Sequence, residues 1–359
     1  MNELESLAHV LAYIDRTGGL AGAYVQGVDL TADFARLVAV DVTNAVFLGC
    51  GLSPKAEEQL IARGALVFPR LPNLPFDPYR PSLYTADELY AGLPDGYQRT
   101  LDARVYRWWK HIGRHRDLES ELAMTLHDHA VSDALGEIAP TNAVGVMGGH
   151  QMARDSHAYA DAGTLGHRLV ADGFAVLTGG GPGAMEAVNL GAALDGTPRD
   201  LTEAIWLLAR APRFADDITA WARAAFDVRE RFALPGASFG VPTWFYGHEP
   251  PNAFPRAIAK YFSNAIREDI LLRLSAHGLV CLPGAAGTVQ EIFQALTPRY
   301  YATQGPVPPL VLVGTDYWTT RLPAWPLVEA LAQGRAMAGY VHLTESMAEV
   351  PDLLARLNG

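Results

Sequence analysis

A chain of 359 residues is too long for one average domain, which predicts one large folded unit and a smaller companion. With 49% hydrophobic and 19% charged residues and no long tract poor in apolar side chains, the composition excludes a disordered or fibrous protein. Lys and Arg number 28 against 39 Asp and Glu, and the resulting net charge of −11 repels polyanions, so nucleic acid is not an expected partner.

The acidic opening Met1-Asn2-Glu3-Leu4-Glu5 lacks the basic start of a secretory signal, and no apolar run has the length of a membrane span. A cytoplasmic protein without membrane partners is expected. In chain order, strand Ala45–Leu48, helix Pro54–Arg63 and strand Ala65–Phe68 form a β-α-β unit, followed by a proline-rich stretch from Pro69 to Pro81 that reads as a linker. Residues 1–84 are therefore predicted to be a small α/β accessory domain. From Thr85 to about Ala139 the apolar spacing turns helical, with Trp108, Ile112, Leu122 and Leu126 among the repeating positions, and predicts two or three bridging helices over 85–140.

From Thr141 strands alternate with helices, which predicts a parallel sheet covered on both faces across 141–359. The expected strands are Ala143–Met147, Phe174–Leu177, Phe239–Phe245, Leu279–Leu282 and Pro309–Val313. The expected helices run from about Ser156 to Asp172, from Ala184, over Leu201–Arg210 and Asp217–Phe232, as one long helix from Ala253 to Ala276, and over Thr288–Leu296. No internal repeat of solenoid period is visible. Cys50 and Cys281 each follow an apolar strand-like run, where a buried reduced thiol is the expected state.

The basic residues are nearly all arginine, the lysines being only Lys55, Lys110 and Lys260. None follows a glycine-rich loop as a phosphate-binding P-loop requires, and none is close in sequence to the glycine turns where a Schiff-base lysine would be wanted. Three predicted strands instead end in glycine-bearing turns that feed helices: Gly148-Gly149-His150, Gly179-Gly180-Gly181-Pro182-Gly183-Ala184 and Pro283-Gly284-Ala285-Ala286-Gly287-Thr288. Small residues at a helix start let backbone N–H groups and the positive end of the helix dipole approach a phosphate without a lysine. The second turn also fits the dinucleotide fingerprint, but Asp200, the acidic residue about twenty positions on, precedes a helix instead of ending a strand. Glu186, in the first turn of the next helix, either reaches the ligand or complements the dipole, and His150 either touches base or ribose or caps its turn. His111 with His115, and His127 beside Asp128 and His129, lack a third ligand at recognisable spacing, so no metal is expected. Arg114-His115-Arg116 reads as a solvated turn.

The stretch Pro283-Gly-Ala-Ala-Gly-Thr-Val-Gln-Glu291 resembles the P-G-G-x-G-T-x-x-E signature of the Lonely Guy family, long labelled lysine decarboxylase-like, whose known activity is phosphoribohydrolase cleavage of cytokinin nucleotides. Gly179–Glu186 and Glu249-Pro250-Pro251-Asn252 resemble two further motifs of its longer bacterial members, which hydrolyse nucleoside monophosphates to base and ribose 5-phosphate. The resemblance spans about Ala143 to Val313. It departs at Ala285, where the family usually has glycine, and at the catalytic arginine: Arg267 stands one position early, and Glu268 occupies the expected place.

The resemblance implies a doubly wound, Rossmann-like α/β fold and a nucleoside 5′-monophosphate N-glycosidase that needs no cofactor and forms a homodimer or larger assembly. Its catalytic residues are then Glu291 and Arg267, and its ligand-binding residues Gly148, Gly149, His150, Gly180, Gly181, Gly183, Glu186, Pro283, Gly284, Ala285, Ala286, Gly287 and Thr288. Glycosidic cleavage passes through an oxocarbenium-like state, which gives a carboxylate such as Glu291 work to do beside the anomeric carbon. Thr288-x-x-Glu291 is equally the pattern of a helix capping box. The rival functions are a non-catalytic nucleotide or alarmone sensor and a dinucleotide-dependent enzyme built on Gly179–Ala184.

Overall fold

The computed structural model describes residues 3–113, 117–245, 249–303 and 307–358. The predicted turn Arg114-His115-Arg116, and with it the His111–His115 pair, lies outside the described residues. The chain forms two compact units, one of Met1–Leu83 with Trp108–Glu137 and one of Tyr84–Arg107 with Ile138–Gly359, so the 85–140 stretch is shared between them. Among the described residues no helix is long and apolar enough to cross a membrane.

The first unit carries a parallel sheet of β1 (Glu3–Leu4), β2 (Tyr24–Gln26), β3 (Val46–Leu48) and β4 (Leu66–Phe68), in that order. Glu3 pairs with Tyr24, Tyr24 with Val46 and Val46 with Leu66, a step of 20 to 22 residues that repeats the same strand-and-helix turn. The sequence shows one β-α-β unit and no repeat, because what recurs is burial, with Val10, Val25, Phe47 and Leu60 in a common core, and not residue identity. Trp108 packs edge-on against Phe76 within this unit, ring centroids 5.0 Å apart.

The second unit is built on seven parallel strands: β5 (Ala143–Met147), β6 (Ala175–Thr178), β7 (Ser238–Gly240), β8 (Ala257–Ile258), β9 (Leu279–Cys281), β10 (Leu310–Val313) and β11 (Val341–Thr344). Their spatial order is β11-β10-β9-β5-β6-β7-β8. The chain winds outward from β5 to β8, then crosses back to β9 and winds the other way, so β5 and β9 flank the point where strand order reverses. In open α/β sheets ligands bind at that crevice, outside the carboxyl ends of the strands. The doubly wound α/β expectation is met, and the strands' continuous apolar runs, all buried from Ala143 to Met147 and from Leu310 to Val313, are what a sheet covered on both faces requires.

Four helices position the site: α1 (His157–Ala171), α2 (Ala184–Ala193), α3 (Asn264–Leu274) and α4 (Ala286–Tyr301). α1 and α2 cross closely enough that a Cβ on Gly191 would lie 1.8 Å from the Gly163 carbonyl oxygen. The long helix expected over 253–276 does not form. Pro255 disfavours helix at the residue before it, and the sheet captures the segment instead, with Arg256 N–H donating to the Ser238 carbonyl and Ala259 N–H to that of Gly240. Ser263 then caps α3, donation coming from Ile266 N–H. The short strands β8 and β11 were not anticipated, and the strand expected over Phe239–Phe245 is confined to β7.

Candidate active site

Register brings the three glycine turns to one edge. Val146 pairs with Thr178 and Met147 with Cys281, so the turns after β5, β6 and β9 leave the sheet at the same level. They then lock together: Gly149 N–H donates to the Pro283 carbonyl at 3.0 Å and Ala184 N–H to the Gly149 carbonyl at 3.1 Å. Gly183 has φ of +72°, and a Cβ there would lie 2.6 Å from the Gly149 oxygen, so only glycine fits. A Cβ on Gly284 would lie 2.2 Å from the Thr288 hydroxyl. Ala285 has φ of −100°, outside the left-handed region, which is why alanine is tolerated where the family usually has glycine.

A buried polar network holds the β6 turn. Thr178 donates to Asn189 Oδ1 at 2.6 Å and accepts from Gly180 N–H at 2.9 Å. The Asn252 side-chain amide donates to the Gly181 carbonyl and to Asn189 Oδ1, both at 3.0 Å. Asn189 in turn donates to Ser238 Oγ at 2.9 Å. Buried polar groups must find partners, and here each finds one in another strand or turn, fixing the loop against the sheet. In the sequence the Glu249–Asn252 motif stands out by resemblance alone, and nothing there gives its asparagine a task.

α2 and α4 begin without a side-chain cap, at Gly183 and Ala285. By contrast Ser156, Thr197, Asp217 and Ser263 cap their helices with their side chains. The first N–H groups of an uncapped helix have no intrahelical acceptor and favour an anion. The capping-box alternative for Thr288 and Glu291 is not formed, since Thr288 lies inside α4 and not at its cap.

Arg267, in the first turns of α3, and Glu291, in α4, meet: Arg267 Nη1 lies 3.5 Å from Glu291 Oε1. Arg267 Nη2 donates to Asn264 Oδ1 at 2.7 Å and lies 2.9 Å from Glu268 Oε1. The one-position offset from the family pattern thus leaves both Arg267 and Glu268 buried and in contact. The other end of the guanidinium abuts the β6 turn, Nη1 lying 3.6 Å from where a Gly179 Cβ would stand. One arginine serves two largely buried carboxylates. Burial, and next the charge of Glu268, push the Glu291 carboxyl up to about 8 against the pull of Arg267. Burial also raises Glu268.

His150 Nδ1 lies 3.1 Å from Glu249 Oε1, both groups about one-third exposed, and Glu249 Oε2 lies 3.6 Å from where a Gly181 Cβ would stand. Glu186 is different. It is fully buried in α2, with Arg154 donating from Nε at 2.9 Å to one oxygen and from Nη2 at 2.5 Å to the other. Arg154 also lies over the Trp221 ring and donates to its carbonyl at 2.9 Å. The expected ligand contact from Glu186 is corrected to a structural ion pair, because both its oxygens are engaged. Likewise the N–H groups of Gly149 and Gly180 have partners within the protein, and the two glycines shape the turns. Gly148, Gly181, Gly183, Pro283, Gly284, Ala285, Ala286, Gly287 and Thr288 all fall on the three converging turns.

Asp200 accepts from Thr197 N–H at 2.7 Å in a capping box, which removes the acidic residue that a dinucleotide site would need. Lys260, the one lysine in the sequence of the second unit, is buried with its Nζ 2.6 Å from Asp102 Oδ1, an oxygen that also accepts from Trp244 Nε1 at 2.8 Å. Burial lowers its proton affinity, yet the amine is committed to the ion pair and the indole face. Cys50 and Cys281 are buried free thiols, and among the described residues no group of three metal-ligating side chains assembles.

No curated protein matches the chain. Solved structures to which the chain shows similarity include the molybdenum cofactor binding protein of the phototrophic bacterium Rippkaea orientalis, 18% identical over 61% of this chain and 99% of that one, with a TM-score of 0.38. The Moco carrier protein of Chlamydomonas reinhardtii is 19% identical over 61% and 98%, with a TM-score of 0.37. Residues 220–355, from within the helix before β7 to the C-terminal helix, match the family model described as possible lysine decarboxylase. That stretch contains the Pro283–Glu291 signature, the Arg267–Glu291 contact and β7 to β11. The likeness to that family lies in the later part of the second unit, from the helix before β7 to the C-terminal helix.

Proposed function

We propose that this protein hydrolyses the N-glycosidic bond of a nucleoside 5′-monophosphate, releasing the base and ribose 5-phosphate. The observation that carries the reading is the contact of Arg267 with a proton-holding Glu291 beside two uncapped helix starts. The phosphate is gripped by the N–H groups at the start of α4, over Gly284–Thr288, together with the Thr288 hydroxyl and the backbone N–H groups of Gly181 and Gly183. Arg267 adds a planar cation that orients phosphate or ribose oxygens. The bond from the anomeric carbon to the base breaks with its electron pair on the base, and water adds to that carbon. Glu291 accepts the water's proton. A carboxyl held near 8 is a far better base than a free one, and it is still partly ionised at neutral pH. The family resemblance adds a homodimer or larger assembly to the proposal.

The test is incubation with a panel of purine and pyrimidine nucleoside 5′-monophosphates and chromatographic detection of free base. Base release that disappears in Glu291→Gln supports the reading. Tight binding with no release makes the protein a sensor, and binding confined to NAD-type ligands makes it a dinucleotide protein; either outcome removes the hydrolase assignment.

A further inference from the structure

Hydrolysis of a glycosidic bond to a nucleobase sets two proton tasks. Water must lose a proton as it adds to the sugar, and the departing base must gain one, since it otherwise leaves as a poorly stabilised anion. Glu291, buried against Arg267, is suited to the first. The second needs a different group, one that a ligand can reach and that solvent can recharge between turnovers.

We propose that His150, oriented by Glu249, is the acid that protonates the leaving base, an assignment that rests on the hydrolase reading above. The two side chains come from different turns of the same crevice, His150 from the turn after β5 and Glu249 from the segment between β7 and β8. Their contact of 3.1 Å engages His150 Nδ1, which leaves Nε2 as the nitrogen that meets a ligand. A histidine whose one nitrogen is fixed by a carboxylate while the other faces the reaction is the general arrangement for proton transfer. Side-chain exposures of 37% and 32% make the pair reachable, in contrast to the 10% of Glu291. The Phe214 ring meets the imidazole edge-on, with centroids 6.2 Å apart.

The pair also borders the phosphate cradle. The backbone of Gly149, next to His150, is bonded to Pro283, and Glu249 lies against Gly181. Burial raises the Glu249 carboxyl while His150, Lys260 and Arg267 act in the opposite sense, so the charges that reach this group are predominantly cationic. In the step itself, the N–H proton on His150 Nε2 passes to a ring nitrogen of the base as the glycosidic electron pair moves onto the base. The neutral imidazole is then reprotonated from solvent, and nucleotide and water become base and ribose 5-phosphate with nothing left over.

The experiment compares leaving groups in wild type, His150→Ala and Glu249→Gln. A nucleotide found to be cleaved is paired with a counterpart whose base departs more readily: an N7-methylated purine, which already carries positive charge, or a 5-fluorinated pyrimidine. His150→Ala is expected to lose about 10²–10⁴-fold in kcat on the ordinary nucleotide and much less on the activated one, and Glu249→Gln to show the same selectivity at smaller size. Added imidazole should restore part of the His150→Ala rate on the ordinary nucleotide. Equal losses on both substrates without imidazole rescue would make the pair structural and overturn the assignment while leaving the hydrolase reading intact. No base release by wild type from either substrate removes both. Melting temperatures of the variants within a few degrees of wild type identify the loss as catalytic and not a failure to fold.

Discussion

Glu291 offers a stability measurement that separates two opposed accounts of the same carboxyl. If the contact with Arg267 at 3.5 Å dominated, the native state would favour the ionised form, and stability would grow as pH rose through the ordinary carboxylate range. Burial and the neighbouring Glu268 outweigh it, and the carboxyl is displaced from 4.5 to about 8. Below pH 4.5 both folded and unfolded states hold the proton. Between there and about 8 the unfolded chain releases it while the folded one does not, so the contribution of this group to stability falls as pH rises. Above 8 both states are ionised and the fall ends. At 1.36 kcal/mol per unit the loss over that window is roughly 5 kcal/mol. Glu291→Gln has nearly the same shape as the protonated acid and cannot ionise. The assay is urea unfolding of both proteins at half-unit steps from pH 4.5 to 9, with the stability of wild type minus that of the variant plotted against pH. The difference should decline by several kcal/mol and level off near 8, with the two proteins close in stability at the acid end. A flat difference, or one that grows with pH, would falsify the proton-holding carboxyl and with it the matched base of the proposed reaction.

Four further outcomes follow from the geometry. Glu268→Gln removes the like charge that helps to raise Glu291, so the acid limb of the kcat/KM profile should move to lower pH; an unchanged limb would mean that the two carboxyls do not sense each other. Arg267→Met leaves Glu291 without its cation and should lower kcat/KM by at least about 10²-fold, judged by steady-state assay, whereas a near-normal value would detach the arginine from the site. Glu186→Gln breaks the fully buried pair with Arg154 and is expected to cost about 3–5 kcal/mol in unfolding experiments with KM unchanged; a raised KM with intact stability would return this residue to the ligand. Gly284→Ala drives a methyl group into the Thr288 hydroxyl, and nucleotide affinity by calorimetry should fall at least about tenfold, while unaltered binding would place the anion elsewhere.

Periodicity and turn residues carried the architecture of the second unit. Continuous apolar strands separated by amphipathic helices admit little besides a parallel sheet covered on both faces, and glycines at strand ends marked the carboxyl edge, where open α/β sheets as a class hold their ligands. The Pro283–Glu291 motif was readable because its conformation is local: a tight turn, small residues and a helix start. What the sequence could not determine depended on neighbours far along the chain. A glutamate in the first turn of a helix reads alike whether it meets a ligand or an arginine, and only the packing of α2 against the segment bearing Arg154 made Glu186 structural. The 253–263 segment read as helix because its apolar residues suit either state, and the sheet edge at β7 took its hydrogen bonds. The offset of Arg267 looked disqualifying on a helical wheel, yet α3 enters the crevice so that two successive side chains are buried against α4 and the β6 turn. His150 and Glu249, 99 residues apart in the sequence, became a pair only through the order of the strands. Local conformation is set by a residue and its near neighbours, whereas proton affinity and reach are set by whatever the fold brings within a few ångströms, and that is a property of topology.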